Sequence, residues 1–272
     1  IVKVTIDGKP QFLELTDKYL PYKALPVSLR NATGLEIPYN KGAIQGNELF
    51  KIYNVNRKKS TFLNDYIVDI ADESSNIHLT TSVTGHLSSY YIELLSDDNE
   101  NVKKEKISDD LLNRTKVDVE LVSVDKVDKK VGDDKVAFET TITLNEKLNK
   151  IGSMKTFQLP YFSIPYNQSV VSLNERKYPI NYLEYENTDV YEDSMLINIA
   201  EGHTFVEIPE SKEFSFKGHS YTITYEKTKE TQLKVTVKAV MSYENIEPDQ
   251  YPEFRKYVKD VLDTRKQFIA FK

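Results

Sequence analysis

The sequence predicts a mainly β protein: an antiparallel β-sandwich with one C-terminal amphipathic helix and an N-terminal hairpin. Three observations lead there. The last third is a series of apolar alternations. Leu196, Ile197 and Ile199 stop at Glu201-Gly202, Phe205, Val206 and Ile208 stop at Pro209, and Phe214 and Phe216 stop at Lys217-Gly218. Tyr221, Ile223 and Tyr225 then alternate up to a charged turn, and Leu233, Val235, Val237 and Ala239 alternate after it. Period-two runs bounded by Gly, Pro and charge mark half-buried antiparallel strands. Composition agrees, with 18 Tyr and 12 Phe against 9 Gly and no Trp, the aromatic bias of a sheet-rich chain. Finally, Tyr251, Phe254, Tyr257, Val258, Val261 and Leu262 form one apolar face at helical spacing. Asp249 is placed to cap that helix, Pro252 fits its first turn, and Gln267 to Phe271 returns as a strand.

From the N-terminus, Val2, Val4 and Ile6 alternate, Asp7-Gly8 interrupts, and Phe12 and Leu13 resume. Asp-Gly between such runs signals a hairpin, here with a loop expected to be lengthened by Lys9-Pro10. Residues 19–48 carry Pro21, Pro26, Pro38, Gly34, Gly42 and Gly46 and read as an extended connector, since Pro denies ladder hydrogen bonds. The boundary is therefore drawn with 1–47 as hairpin and connector and 48–272 as an antiparallel β domain, with a possible subdivision near 152. Strands are expected at 49–55, 66–70, 77–83, 87–95, 117–122, 136–144 and 154–162. The charged stretch 96–106 reads as a loop, with Ser108 capping a short helix to Asn113. Residues 166–194, rich in Tyr, Asn and Glu, read as a long excursion at a sheet edge.

The 272 residues suffice to bury roughly 70–75% of the unfolded surface. The 36 basic residues are interspersed with 42 acidic ones, for a net charge of −6. No basic stripe for nucleic acid or an anionic membrane stands out, and no apolar run approaches the roughly 20 residues of a membrane span. Cysteine is absent, which excludes disulfides, thiolate metal sites and a cysteine nucleophile within the chain. The chain starts at Ile1 inside an apolar alternation, and reads as part of something longer.

No residue set declares a chemistry, and neither cofactor nor metal is expected. His78, His86, His203 and His219 lack metal-ligand spacing, and the last two each fall in an expected solvated turn. Asp97, Asn99 and Asn101 imitate the start of a calcium loop, but Val102 stands where Gly is required and Ser108 where a bidentate Glu is. Asp109-Asp110 and Asp133-Asp134 are adjacent pairs in turns, poorly placed for acid–base work. Tyr178, Tyr182, Tyr185 and Tyr191 could form an aromatic platform for glycan or peptide, although Tyr is equally a routine strand residue.

Phe12-Leu13-Glu14-Leu15-Thr16-Asp17-Lys18-Tyr19-Leu20-Pro21, followed by Leu25-Pro26, resembles the end of the core of bacterial exported transglutaminase-like proteins, which carry β domains of unknown function before and after that core. Arg176-Lys177-Tyr178-Pro179-Ile180, Glu201-Gly202 with Ile208-Pro209, and Tyr251-Pro252-Glu253-Phe254-Arg255 resemble elements of the domain after the core. The resemblance implies that 1–47 closes a transglutaminase-like core and that the rest is a non-catalytic β domain, exported to the periplasm or cell surface, that flanks the core and limits substrate access. Glu14 stands where the family's triad has aspartate, and the family's His and Cys would lie upstream of Ile1. The chain alone is thus expected to lack enzyme activity, with the missing core as its partner and Glu14 the sole catalytic candidate if Cys and His come from elsewhere. The alternative is a stand-alone module binding glycan or peptide through the tyrosines of 178–191.

Overall fold

The structure, a computed structural model, describes residues 1–22, 24–26, 29, 32–37, 49–52, 59–115, 119–145, 147–163, 165–181 and 188–272. It opens with a hairpin of β1 (Val2–Ile6) and β2 (Lys9–Leu13). Asp7 and Gly8 both take positive φ, 51° and 72°, and Ile6 pairs directly with Lys9, so the turn has two residues and is not lengthened. Pro10 lies inside β2 opposite Thr5. Among the described residues β2 pairs only with β1, so its other edge carries no described ladder that the missing N–H would break. A second hairpin pairs β3 (Thr33–Leu35) with β4 (Leu49–Lys51). The two hairpins meet where the Phe12 and Phe50 rings stack 5.6 Å apart.

The body is one eight-stranded sheet. In chain order its strands are β5 (Thr61–Asp69), β6 (Ser75–Thr84), β7 (Val119–Lys129), β8 (Lys135–Leu144), β11 (Val190–Asn198), β13 (Lys212–Phe216), β14 (His219–Lys229) and β15 (Gln232–Val240). Their spatial order is β13-β14-β15-β11-β5-β6-β8-β7. Every pairing is antiparallel except β5 with β11, which runs parallel and joins two four-stranded halves. A smaller antiparallel sheet orders β12 (Phe205–Glu207), β16 (Phe268–Phe271), β10 (Met154–Gln158) and β9 (Asn149–Ile151). Gly152, at φ 63°, turns the β9–β10 hairpin. Among the described residues the α-helices are α1 (Leu87–Leu94), α2 (Glu100–Thr115) and α3 (Tyr251–Thr264). Strands such as β5 and β6 alternate buried and open residues, so one face of the large sheet is covered and the other is wet.

Two helices replace what the sequence suggested as strand and loop. Ser88, Tyr91, Ile92 and Leu95 are all buried, a spacing that suits a helix face better than alternation. The chain is turned into α1 by Gly85 at φ 76°, packed directly on Ser60. The calcium-like triplet is the start of α2. Asn99 Oδ1 accepts from the N–H groups of Asn101 and Val102 at 3.0 and 3.4 Å, while Asp97 accepts from Asn99 N–H and Lys106 Nζ. Ile107 and Leu111 supply the buried face of α2, and its charged composition reflects how little of it is covered. At 16 residues α2 is longer than α3. Arg114 anchors it by donating to Asp110 at 2.9 Å and to the Phe162 carbonyl at 2.7 Å, with its guanidinium 4.9 Å over Phe62. α3 takes the predicted form with Pro252 in its first turn, but its cap is Gln250, not Asp249, and no side chain bonds the helix start.

Residues 190–198 are not at an edge. They form β11 at the centre of the sheet, where Asp193 is wholly buried on the covered face. Its carboxylate accepts from Asn64 Nδ2 at 2.8 Å and Ser163 N–H at 3.2 Å, and Asn64 Oδ1 accepts from Thr81 at 2.9 Å. A buried polar group is tolerated when it is hydrogen-bonded, and this network ties the parallel seam to the segment beneath it. Burial still pushes the Asp193 carboxyl above its ordinary range. The strand expected over 154–162 ends at Gln158, after which Leu159, Tyr161 and Phe162 enter the core as irregular chain. Pro160 accepts from the Tyr66 hydroxyl there.

Candidate functional site

Two concavities stand out, one at each level of the molecule. The first lies in the N-terminal module, between the hairpin β1–β2 and the segment leading through β3. It is a groove of about 900 Å³ whose walls include Val2, Phe12, Leu29, Ile37, Phe50 and Ile52, within the size range of ligand pockets. Phe50 also closes the space over Gly34, where an added Cβ would meet its ring at 2.7 Å. Lys3 rides over the Phe50 ring and pairs with Glu36. The module leaves large apolar side chains in water: Leu15, Leu49 and Ile37 are each more than 70% exposed. Single exposed apolar residues are ordinary, but Val2, Leu35 and Ile37 are exposed and line one groove, and such grouping is the mark of a contact surface.

Glu14 lines this groove. Its Oε1 accepts from both the N–H and the hydroxyl of Thr16, and those bonds hold its carboxyl below the ordinary range. A carboxylate so held is anionic at neutral pH and fixed in place, as an orienting acid must be. The chain contains no Cys to complete such a group.

The other predicted residues are dispersed. Tyr178 is 78% exposed, just before the bridge of Ile180 to Ile246. Tyr191 lies in central strand β11, half-buried, with its ring 6.1 Å from Phe62. Tyr182 and Tyr185 lie outside the described residues. His219, expected in a solvated turn, is 1% exposed, because β14 begins at that residue and carries the ring beneath α3. His203 approaches Lys155 Nζ at 3.3 Å, and Lys155 with Lys150 holds Asp72 with a pKa of about 2. That ion cluster joins the β5–β6 turn to the β9–β10 hairpin.

One constellation that no sequence motif signals is Ser60, His86 and Asp189, the three residue types of a hydrolytic triad brought together from distant positions. The atoms are wrong for catalysis. Ser60 Oγ accepts from the His86 backbone N–H at 3.1 Å, Asp189 accepts from the Ser60 backbone N–H at 2.6 Å, and Ser60 has no exposed surface. A nucleophile needs its hydroxyl bonded to a base and open to substrate. The trio is a clasp joining the start of β5, the end of β6 and the start of β11. Among the described residues, no group of three or more His, Asp or Glu is arranged to hold a metal ion. No described helix is long and apolar enough to cross a membrane.

The second concavity, of about 480 Å³, lies on the open face of the large sheet around Ile67, His78, Leu196 and Lys234. Its floor is built by the cross-strand register, which sets Lys234 beside Leu196, Leu196 beside Ile67, and Ile67 beside His78.

No curated protein matches the chain. Among solved structures it is similar to a presumed protease from Parabacteroides distasonis, at 10% identity and a TM-score of 0.35 over 67% of this chain. It spans 54% of that protein's length, and a likeness of that degree does not establish a shared fold. Residues 153–271, which hold the small sheet's β10, β12 and β16, strands β11 and β13 to β15, and α3, match the family model of a domain of unknown function with a solved structure, DUF3858.

Proposed function

We propose that this chain is a non-catalytic accessory β module of an exported transglutaminase-like protein, and that its N-terminal pair of hairpins docks on that protein's core. The observation that carries this reading is the groove between the hairpins, with its apolar walls and the exposed Val2, Leu35 and Ile37 that line it. Two-stranded hairpins are marginal alone in water and need a further surface. The match of 153–271 to DUF3858 and the resemblance of Phe12 to Pro21 to the end of a transglutaminase-like core support the identity of the partner. In this reading the large sheet and the 166–181 segment flank the core's cleft and restrict what enters it. In the same reading Glu14, at the groove, would be the acid facing a His and a Cys supplied by that core.

Amide hydrogen exchange tests the docking, because it reports local opening residue by residue. Amides of β1–β4 should exchange far faster than those of Val235 and Val237 in the isolated chain, and gain protection when a transglutaminase-like core is present. Equally slow exchange of both sets in a dilute monomer would assign the hairpins to this domain and remove the need for a core. Peptide-amide turnover by the isolated chain, lost on Glu14→Ala, would overturn the non-catalytic assignment.

A further inference from the structure

On the open face of the eight-stranded sheet, a cation and an anion on non-adjacent strands have no ionic partner among the described residues, and Glu226 on β14 is a third such group. Lys234 on β15 and Asp65 on β5 both point to solvent, and among the described residues neither has an ion pair or hydrogen bond. Their charged neighbours are occupied differently. Glu139 pairs with Lys126, Glu192 with Lys238, and Asp125 accepts from Ser123. Glu226, the cross-strand neighbour of Lys234, makes no ion pair with it. Between Lys234 and Asp65 lie the side chains of Leu196 and Ile67, side by side across the parallel seam, with Ile67 41% exposed. Ser194 and Thr80 flank Asp65 in register and add hydroxyls beside it.

β11 alone separates β5 from β15, and Asp65 lies two residues along β5 from Ile67, which is level with Lys234 through Leu196, so two strand spacings and two residue rises set the cation and the anion roughly 11–12 Å apart. An extended chain advances about 3.3–3.6 Å per residue, so roughly three residues bridge that distance. We infer that the concavity around Leu196 and Ile67 binds a short peptide with free termini, its carboxylate at Lys234, its ammonium at Asp65 and an apolar side chain on the floor between them. The volume, about 480 Å³, is in the range of small-ligand sites. A saccharide is disfavoured because the floor offers two aliphatic side chains, with His78 at its margin and no Phe, Trp or Tyr ring exposed to it, Tyr66 being buried from the other face. The site is remote from the N-terminal groove in its residues, so its failure leaves the docking proposal standing.

The test is an amide NMR titration of the full chain with Gly-Leu-Gly bearing free termini, beside the same peptide acetylated and amidated. The expected result is saturable shifts at β5, β11 and β15 for the free peptide and weaker binding of the capped one. Asp65→Asn and Lys234→Gln should each weaken binding by about two- to five-fold, the scale of an exposed charge pair. Both residues are exposed, so both variants should keep the parent's circular dichroism spectrum and melting point. Equal binding of free and capped peptide, binding unchanged in both variants, shifts confined to β1–β4, or no saturable shift would each overturn the inference. Saturable shifts on this face with cellobiose but not with peptide would overturn it as well.

Discussion

Acidification from pH 7 to pH 4 should remove about 3 kcal/mol of stability through one side chain, His219. The ring is 1% exposed and lies within 6.5 Å, centroid to centroid, of Phe216, Phe254, Tyr257 and Tyr166. Its Nδ1 accepts from the Ser242 N–H at 3.3 Å and stands 2.9 Å from the Tyr166 hydroxyl. Those contacts suit a neutral imidazole with its proton on Nε2. These neighbours are all uncharged, and burial lowers the pKa from 6.5 to about 4. Lowering the pKa from 6.5 to about 4 is worth about 3.5 kcal/mol in all, at about 1.4 kcal/mol per tenfold, and about 3 of that is lost by pH 4, where the folded-state ring is half protonated. The unfolded chain, with the ordinary pKa, binds the proton first. The contribution is therefore complete above pH 6.5, declines as pH falls, and is nearly gone by pH 4. Buried Asp193 works in the opposite sense, since its carboxyl is raised from 3.8 and the folded state binds that proton more readily. The His219 contribution is isolated by a difference. Urea unfolding of the parent and of His219→Gln at pH 7.0, 6.0, 5.0 and 4.0 should show the cost of the substitution shrinking by about 2 kcal/mol between pH 7 and 5. Parallel curves for the two proteins would refute the assignment of a neutral, buried imidazole.

Two further sets of substitutions test the packing. Phe254, fully buried under Phe216 and Tyr166, should cost about 3–5 kcal/mol when cut to Ala, while exposed Lys256→Ala should be nearly silent; comparable urea midpoints would mean that α3 does not dock by this face. Gly85→Ala places a Cβ 2.2 Å from Ser60 Oγ at a φ of 76°, so clash and left-handed strain combine and the melting point should fall by many degrees. Gly132→Ala, at φ 79° but with open space around it, should cost about 1–3 kcal/mol of strain alone, and similar melting points for the two variants would show that the Ser60 contact yields freely.

The strands and terminal helix of the last third were legible because each obeys one period. In β14 and β15 the alternating Tyr221, Ile223, Leu233, Val235 and Val237 are the buried ones, and Phe254, Val258 and Val261 are the buried face of α3. Local pattern and final burial coincide there, so chemistry at the level of single residues was enough. The hairpin at Asp7-Gly8 was readable too, since few other residue pairs accept two positive φ values, although its loop was expected to be longer than the two residues it has. The absence of a nucleophilic Cys is likewise a property of the composition alone.

What the tertiary structure decided lies where long-range partners override local pattern. Val190-Tyr-Glu-Asp-Ser reads as a polar margin, yet it becomes the middle of the sheet because Asn64 and Ser163, remote in sequence, satisfy Asp193. Leu87 to Leu95 alternates poorly but carries enough apolar residues to suit strand or helix, and the packing of Gly85 on Ser60, with Tyr91 against Phe62 and Phe138, selects the helix. The placement of Asp65 and Lys234 on either side of Leu196 and Ile67 has no sequence signal at all, since those residues come from three strands and meet only through a parallel register. Periodicity reports which face a residue turns to the core, whereas the neighbours on the opposite face are set by strand order, which no local pattern encodes.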